Sequence, residues 1–448
     1  MLYLCYMKTE DKNKQILSNL GIDRLNEMQR EAQKAIINEQ NVLLLSPTGS
    51  GKTLAVLLPI LKLLDENINK VQCLIIVPSR ELALQTEQVW KKLGTKFKVN
   101  VCYGGHSIET ELKNLSNPPA LLIGTPGRLT DHLERKSLDT DSIKILVLDE
   151  FDKSLQLGFQ DQMDTIISQL PSIQKRVLLS ATSDVEIPDF VDMISPVTLD
   201  FLEDEKSEAL AIKLVESPEK DKINTLFHLI CSLNSEPALI FCNHRESTER
   251  VADLLNMKGI QVGYYHGGMD QDDRERILVK FRNGSLNYLV TTDLAARGLD
   301  IPEMNHVIHY HLPGTETEFI HRNGRTARMH ASGTAYVIQF KDEKVPDYIP
   351  DNLEVLELLK LSNGITLPDT PEYQTIYVSG GKKNKLNKGD IVGFFLQKGK
   401  LDKSDIGLIE VKDFISFAAV RASVVKSLLA NIKDEKMKGK KYKIEVAK

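Results

Sequence analysis

The stretch SPTGSGKT, residues 46–53, follows the apolar run NVLLL and precedes LAVLLPILKLL. A buried strand, a glycine-rich turn and a helix read in this order. Glycines are needed there because backbone N–H groups must close around phosphate, and a Cβ would block the approach. The helix starting near Lys52 adds its positive N-terminal end. Lys52 can then reach the β- and γ-phosphates of a nucleotide, and the Thr53 hydroxyl can hold Mg²⁺.

The same rhythm runs to about residue 200. The runs NVLLL, CLIIVP, VNVCYGG, ALLIGTP, KILVLDE and RVLLSAT are short and apolar, with amphipathic stretches between them. Runs buried on both faces and alternating with helices make a parallel α/β sheet. The acidic FLEDEKSEA reads as a linker. A second series, ALIFCN, QVGYYHGG, NYLVTTD, HVIHYHLP and GTAYVIQF, predicts a second α/β sheet of similar size. The two halves repeat in architecture but not in letters, and FCNHRES stands where a second phosphate loop would lie. A chain of 448 residues is in any case too long for one core. Residues 341–373, with four prolines and a short helix, read as a connector.

ILVLDEFD supplies the second part of a nucleotide site. Four apolar residues end in Asp149 and Glu150 at the carboxyl edge of a buried strand. There Asp149 can bind Mg²⁺ through water, and Glu150 can orient or deprotonate an attacking water. Asp152 capping the next helix accounts for one carboxylate, but not for three facing a phosphate loop. Ser180 and Thr182 of SATS could bond these carboxylates. In the second half, HRNGRTAR spaces Arg322, Arg325 and Arg328 three apart, on neighbouring faces of a helical turn. With no phosphate loop in that half, Arg325 and Arg328 are best used across a cleft, on the γ-phosphate held by the first half. Asp300, in TTDLAARGLDIP, can take a ribose hydroxyl.

The overall charge of −5 hides an asymmetry. Residues 374–448 hold 16 lysines and one arginine against eight acidic residues, so they carry +9 and the rest of the chain −14. A basic module on an acidic body suggests a polyanion partner. The order of runs from TIYVSGG to KKYKIEVA is βαββαβ, a split βαβ sandwich of the RNA-recognition-motif kind.

SPTGSGKT, PSRELALQ, GG, TPGR, DEFD, SAT, HGGMDQDDR, TTDLAARGLDIP and HRNGRTAR occur in order. Together they resemble the DEAD-box RNA helicases of superfamily 2, over about residues 15–345. The tail, above all GGKKNKLNKGDIVG, resembles the RNA-binding domain of the DbpA subfamily. The resemblance implies two RecA-like parallel-sheet domains, an ATP-binding one over 1–205 and a second over 206–345. A linker over 346–372 and an RRM-like RNA-binding domain over 373–448 would follow.

It also implies residue roles. Gln29, in LNEMQREA, would read the adenine edge. Ser46, Pro47, Thr48, Gly49, Ser50, Gly51, Lys52 and Thr53 would form the ATP site with Asp149, Glu150, Asp300, Arg325 and Arg328. Of these, Lys52, Asp149, Glu150, Arg325 and Arg328 would be catalytic, and Thr53 and Asp149 would hold Mg²⁺. Pro78, Arg80, Gly104, Gly105, Thr125, Pro126, Gly127, Arg128, Gln271, Arg274 and Thr291 would contact the RNA backbone. Glycine N–H groups and arginines suit phosphate and ribose rather than base edges. ATP and RNA together would close the two halves, bend one strand and melt a short duplex locally.

Four positions depart from the pattern. Phe151 makes the box DEFD, with bulk where alanine is usual, and implies a repacked neighbour with the carboxylates intact. Ile22 and Lys12 stand where aromatic residues are usual, so adenine selectivity leans on Gln29. Ala327 replaces a glycine and implies a helical φ there.

Other readings share these motifs. An ATP-dependent RNA clamp that does not unwind would use the same residues. A DNA helicase of the same superfamily fits SPTGSGKT, but Gln29, DEFD and SAT favour RNA. A P-loop kinase or GTPase leaves the second half unexplained. The five cysteines form no CxxC pair, which suits plain thiols in a reducing cytoplasm. MLYLCYM lacks the length and basic flank of a signal peptide, and the longest apolar run is too short to span a bilayer. A cytoplasmic monomer acting on RNA, with no membrane partner, is the expectation; the tail suggests large-subunit ribosomal RNA.

Overall fold

The inner strands of the first half alternate their side chains between two apolar cores. The structure is a computed structural model and describes residues 16–47, 49–105, 107–183, 186–202, 210–296, 304–326, 333–350, 352–357 and 366–447. The strands are β1 (Asn41–Leu45), β2 (Cys73–Ile76), β3 (Val99–Cys102), β4 (Leu121–Gly124), β5 (Ile145–Leu148), β6 (Lys175–Ser180) and β7 (Val197–Asp200). They pair in the order β3-β4-β2-β5-β6-β1-β7, all parallel. Ile75, Ile123 and Val147 face one core, and Leu74, Leu122 and Leu146 face the other. A strand buried on both faces must be apolar at successive positions, which is why these runs stood out. Only β7 escaped the sequence reading. It is an edge strand with three of its four residues exposed, so it carries no buried run.

The second half starts at residue 209, where the chain divides into two compact units. Its strands are β8 (Leu210–Ser217), β9 (Ala238–Phe241), β10 (Val262–Tyr265), β11 (Tyr288–Thr291), β12 (His306–His309), β13 (Gly333–Phe340) and β14 (Glu354–Val355). The order β10-β11-β9-β12-β13-β8-β14 repeats the first sheet strand for strand. That repeat corrects one expectation. The counterpart of β1 is β8, which the sequence reading missed because Lys213 and half-exposed neighbours blur its apolar pattern. The segment in the place of the phosphate loop is therefore 217–222, SPEKDK. FCNHRES follows β9, the counterpart of β2. A lysine stands at the helix start in both halves. Lys222 lies against Glu343 at 2.5 Å and donates to the Ile338 carbonyl, with no glycine loop beside it. The linker FLEDEKSEA lies almost wholly outside the described residues, as does the middle of the connector, 358–365.

The third sheet comprises β15 (Tyr373–Val378), β16 (Ile406–Val411), β17 (Ser416–Arg421) and β18 (Ile444–Val446), antiparallel in the order β16-β17-β15-β18. Helices Lys388–Gln397 and Ala422–Ile432 cover one face. Ile376, Val378, Ala418 and Val420 meet Phe395 and Leu428 in that core. The sequence-predicted βαββαβ order is the one observed.

Candidate functional site

Gly49 and Gly51 adopt φ of +90° and +91°, a conformation that side chains with a Cβ rarely take. The two turns deliver the chain from β1 into the helix Lys52–Leu63, whose N-cap is Gly51. Its first N–H groups lie at the loop, as an anion site requires. Lys52 is buried, and its Nζ donates to the carbonyls of Ser46 and of Pro47, the latter at 2.6 Å. Ser46 Oγ donates to Ser50 Oγ at 2.7 Å, and Ser50 Oγ to the Pro47 carbonyl at 2.9 Å. Thr53 follows Lys52 on the helix; Thr48 lies outside the described residues.

Gln29 meets this loop from the helix Glu27–Asn38. Its Nε2 donates to the Gly51 carbonyl at 3.4 Å, and its Oε1 accepts from the Asn26 N–H. Asn26 caps the helix and also donates from Nδ2 to the Ser50 carbonyl at 3.1 Å. Asn26 was missed in the sequence; the signal was there, since N-x-x-Q is a capping-box spacing. Ile22 is half-buried nearby in the chain.

Asp149 and Glu150 end β5 at the same sheet edge. Glu150 takes φ +49°, ψ +50°, a left-handed conformation that costs a non-glycine residue about 1–3 kcal/mol. The turn sets both carboxylates at the strand end and starts the helix Phe151–Gln156. Asp149 is buried, and burial first, then the Glu150 charge, push its carboxyl up to about 7 against the pull of Lys52. Glu150 Oε2 is buried with no hydrogen-bond partner among the described residues. A buried and a half-buried carboxylate beside a phosphate loop and a threonine suit a hard divalent cation such as Mg²⁺. Phe151 is fully buried in the core with Met163, Ile166 and Leu178, so its bulk points away from the carboxylates. Ser180 and Thr182 bond one another, with Ser180 Oγ donating to the Thr182 carbonyl at 2.8 Å, rather than the carboxylates of DEFD. The hydroxyl-to-carboxylate expectation is corrected accordingly.

Pro78, Arg80, Gly104, Gly105, Thr125, Pro126, Gly127 and Arg128 all follow the carboxyl ends of β2, β3 and β4. The Arg80 guanidinium lies 4.5 Å over the Tyr103 ring. Gly105 takes φ +93°, and a Cβ there would stand 3.1 Å from Arg80 Nη1. Arg128 Nε donates to the Tyr103 carbonyl at 3.1 Å. Beneath it, Glu111 accepts from the Tyr103 N–H and pairs with His132 at 2.6 Å, both side chains buried. Glu111 and His132 were not singled out in the sequence, where an acid and a histidine on different helices carry no spacing signal.

In the second half the helix Gln271–Arg282 starts after HGGMD. Gln271 Nε2 donates to Glu275 at 3.3 Å, and Arg274 donates from Nε and Nη2 to the Tyr265 hydroxyl. Thr291 is fully buried and donates to the Tyr265 carbonyl at 2.9 Å, so it braces the strand end rather than facing outward. Arg322 is buried too. It bonds both Asp293 oxygens, Asn243 Oδ1 and the His311 carbonyl. These bonds tie the helix to the strand ends and hold the fold together here. Arg325, also buried, follows it. Asp300, Ala327 and Arg328 lie outside the described residues, and so does Lys12. Next to Arg322, burial pushes His309 down to about 3 and His311 down to about 4.

In the tail, Lys382, Lys383, Lys385 and Lys388 are exposed. Lys438, from the turn before β18, donates to the Lys385 carbonyl at 2.9 Å and pairs with Asp390. Two lysine-bearing segments distant in sequence thus share one edge. Among the described residues no helix is long and apolar enough to cross a membrane.

Residues 26–190 match the DEAD/DEAH box helicase family, 221–330 the helicase conserved C-terminal domain and 375–446 the DbpA RNA binding domain. The chain is 32% identical over 444 residues to the ATP-dependent RNA helicase DbpA of Escherichia coli, and 30% identical over 465 residues to that of Bacillus subtilis. Each alignment covers 96% of both chains. Among solved structures it resembles S. cerevisiae Dbp5 bound to RNA and ADP BeF3, with a TM-score of 0.68 and 27% identity, over 77% of this chain and 93% of that one. It also resembles Mss116p bound to ssRNA and AMP-PNP, with a TM-score of 0.65 and 27% identity, over 74% and 72% of the two chains.

Proposed function

This chain belongs to the DEAD-box ATP-dependent RNA helicases of the DbpA kind, and we propose that it melts short helices in ribosomal RNA during large-subunit assembly. The observation that carries the ATP half of this reading is the pairing of a left-handed glycine loop with the buried Asp149 carboxylate and the half-buried Glu150 carboxylate on one sheet edge. Residues 46–53 cradle the phosphates, and Lys52 leaves its loop carbonyls for the β- and γ-oxygens. Gln29, already turned to the loop, reads the adenine edge. Thr53 and Asp149 would hold Mg²⁺, which neutralises phosphate charge when bound. Glu150 orients the attacking water with its unfilled oxygen. In the working cycle the second half brings Arg325 and Arg328 to the γ-phosphate, and Asp300 takes the ribose.

The RNA backbone runs over residues 78–80, 104–105 and 125–128 in the first half and Gln271 and Arg274 in the second, with Thr291 as a brace. We read the domains as 1–205, 206–345, a linker over 346–372 and 373–448; the division into compact units at residue 209 lies close to the first of these limits. The tail, with +9 of charge, carries the target RNA. Its match to the DbpA RNA binding domain supports RNA as the partner of the tail, and ribosomal RNA is the target read from the resemblance. Free, buried thiols at Cys73, Cys102 and Cys242 suit a reducing cytoplasm.

The test is ATP hydrolysis with ribosomal RNA fragments, unrelated RNA and DNA of equal length, alongside strand separation of a short RNA duplex. RNA should stimulate hydrolysis, ribosomal fragments most, and the duplex should part only with ATP. Equal stimulation by DNA would remove the RNA reading. Hydrolysis with no strand separation would leave a clamp.

A further inference from the structure

The outward face of the third sheet is covered. In sheets of this topology that face is where stacking aromatics would meet unpaired bases. Here Tyr377 and Phe417 occupy it as an edge-on pair with ring centroids 5.9 Å apart. Phe417 is only 1% exposed, because Val279 of the helix Gln271–Arg282 packs on it together with Ala447. Two polar contacts flank this apolar spot. Arg282 donates from Nε and Nη2 to the two oxygens of Glu410 on β16, both at 2.9 Å. Asn283, just past the helix, exchanges hydrogen bonds with Thr375 on β15 at 2.9 and 3.2 Å, both residues buried. A two-pronged arginine–carboxylate pair fixes orientation as well as distance. The buried amide–hydroxyl pair adds a cost to any opening that leaves it unpaired.

We propose that this sheet face is a docking face for the helix Gln271–Arg282 rather than a platform for bases, and that the joint holds tail-bound RNA at a set distance from the RNA contacts of the second half. The helix carries Gln271 and Arg274 in its first turns and the docking residues in its last. At about 1.5 Å per residue, Gln271 and Arg274 lie about 8–17 Å along the helix from Val279 and Arg282, so the tail stands about that far from the backbone contacts on a rigid rod. RNA held by the tail reaches those contacts without a search. The distance-setting role rests on the RNA reading given above; the docking itself does not.

The experiment uses the full chain with Arg282→Glu, Glu410→Arg and the two together. Hydrogen exchange is read at residues 279–285. RNA-stimulated ATPase is read with saturating oligouridine, and strand separation with a short RNA duplex on a single-stranded extension. Each single change should speed exchange at 279–285 at least tenfold and slow strand separation several-fold, with ATPase within about twofold of the unaltered chain. The double change should restore exchange and strand separation. Unaltered exchange in both single variants, or a double variant worse than either, overturns the docking. Faster exchange with unaltered strand separation overturns the distance-setting role. An unaltered chain that oligouridine fails to stimulate would instead count against the RNA reading, with the exchange result standing separately.

Discussion

Gln29 and Gly51 are locked together at the mouth of the phosphate loop. The Gln29 amide donates to the Gly51 carbonyl, and a Cβ at position 51 would collide with that same amide nitrogen. With φ at +91° the position is also strained for any side chain. Gly51→Ala should therefore cost about 1–3 kcal/mol of stability and lower ATP turnover at least tenfold. Gly104→Ala makes the contrast, since a Cβ there meets nothing within 4 Å. Thermal unfolding of the two variants checks the difference, and equal midpoints would contradict it.

Glu150→Gln keeps the shape and removes the charge from the oxygen that lacks a partner among the described residues. Turnover should fall by about a hundredfold or more, in the range of a lost general base, while ATP binding survives. Lys52→Ala should lose both, because its amine is the group that meets the phosphates. Equilibrium binding of a fluorescent ATP analogue beside a turnover assay separates the two variants. Unchanged turnover in Glu150→Gln would strip that residue of its role.

The three spaced arginines should divide into two kinds. Arg322 bonds Asp293 twice and is fully buried. Removing one partner of such a pair costs about 3–5 kcal/mol, so Arg322→Ala should unfold early in urea. Arg328→Ala should instead cut turnover by about 10³–10⁵, with the urea midpoint little changed. The reverse pattern would exchange the two assignments.

What the sequence made legible follows the physics of burial. Every strand whose residues are buried on both faces was readable as an apolar run, and so was the tail's alternation. The edge strands β7 and β14 were not, having little to bury. Missing β8 had a consequence, because it displaced FCNHRES by one strand in the repeat. In the site, residues with backbone demands were readable: Gly51 needs its φ, and Asp149 and Glu150 need a strand end. Partnerships across the chain were hidden. Nothing in the letters pairs Glu111 with His132, Arg322 with Asp293, or Phe417 with Val279, since each pair is set by how separate elements pack.

Acid should weaken the second half. His309 and His311 are held near 3 and 4 by burial, well below an ordinary histidine near 6.5. A histidine with a lowered native pKa binds its proton more readily in the unfolded chain. Stability then rises with pH between the native and unfolded values, and is lost as pH falls from about 6.5 toward 4. Each such histidine contributes up to about 1.4 kcal/mol per pH unit in that window. His309 Nε2 lies 2.9 Å from Asn323 Oδ1, so His309→Gln can retain a donor without the titration. Urea unfolding at several pH values should show a shallower slope for that variant. An identical slope would mean that His309 does not set the acid limit.

RNA affinity of the whole chain should depend on the lysine edge of the tail. Lys382, Lys383 and Lys385 are exposed on one short segment, and the Lys438 bond to the Lys385 carbonyl ties a second basic segment to it. Each phosphate neutralised by a lysine releases counterions, so affinity falls as salt rises, with a slope of about 0.9 per contact on a duplex. Changing all three lysines to alanine should weaken binding of ribosomal RNA hairpins and reduce the salt slope by about two to three. Basal ATPase should stay as it was, because Lys52, Asp149 and Glu150 belong to the other unit. Unrelated hairpins of equal length decide what the edge reads. If they lose affinity in equal measure, the three lysines supply charge alone and selectivity lies elsewhere on the βαββαβ domain. If the triple variant binds every hairpin as tightly as the unaltered chain, the tail's hold on RNA does not pass through this edge.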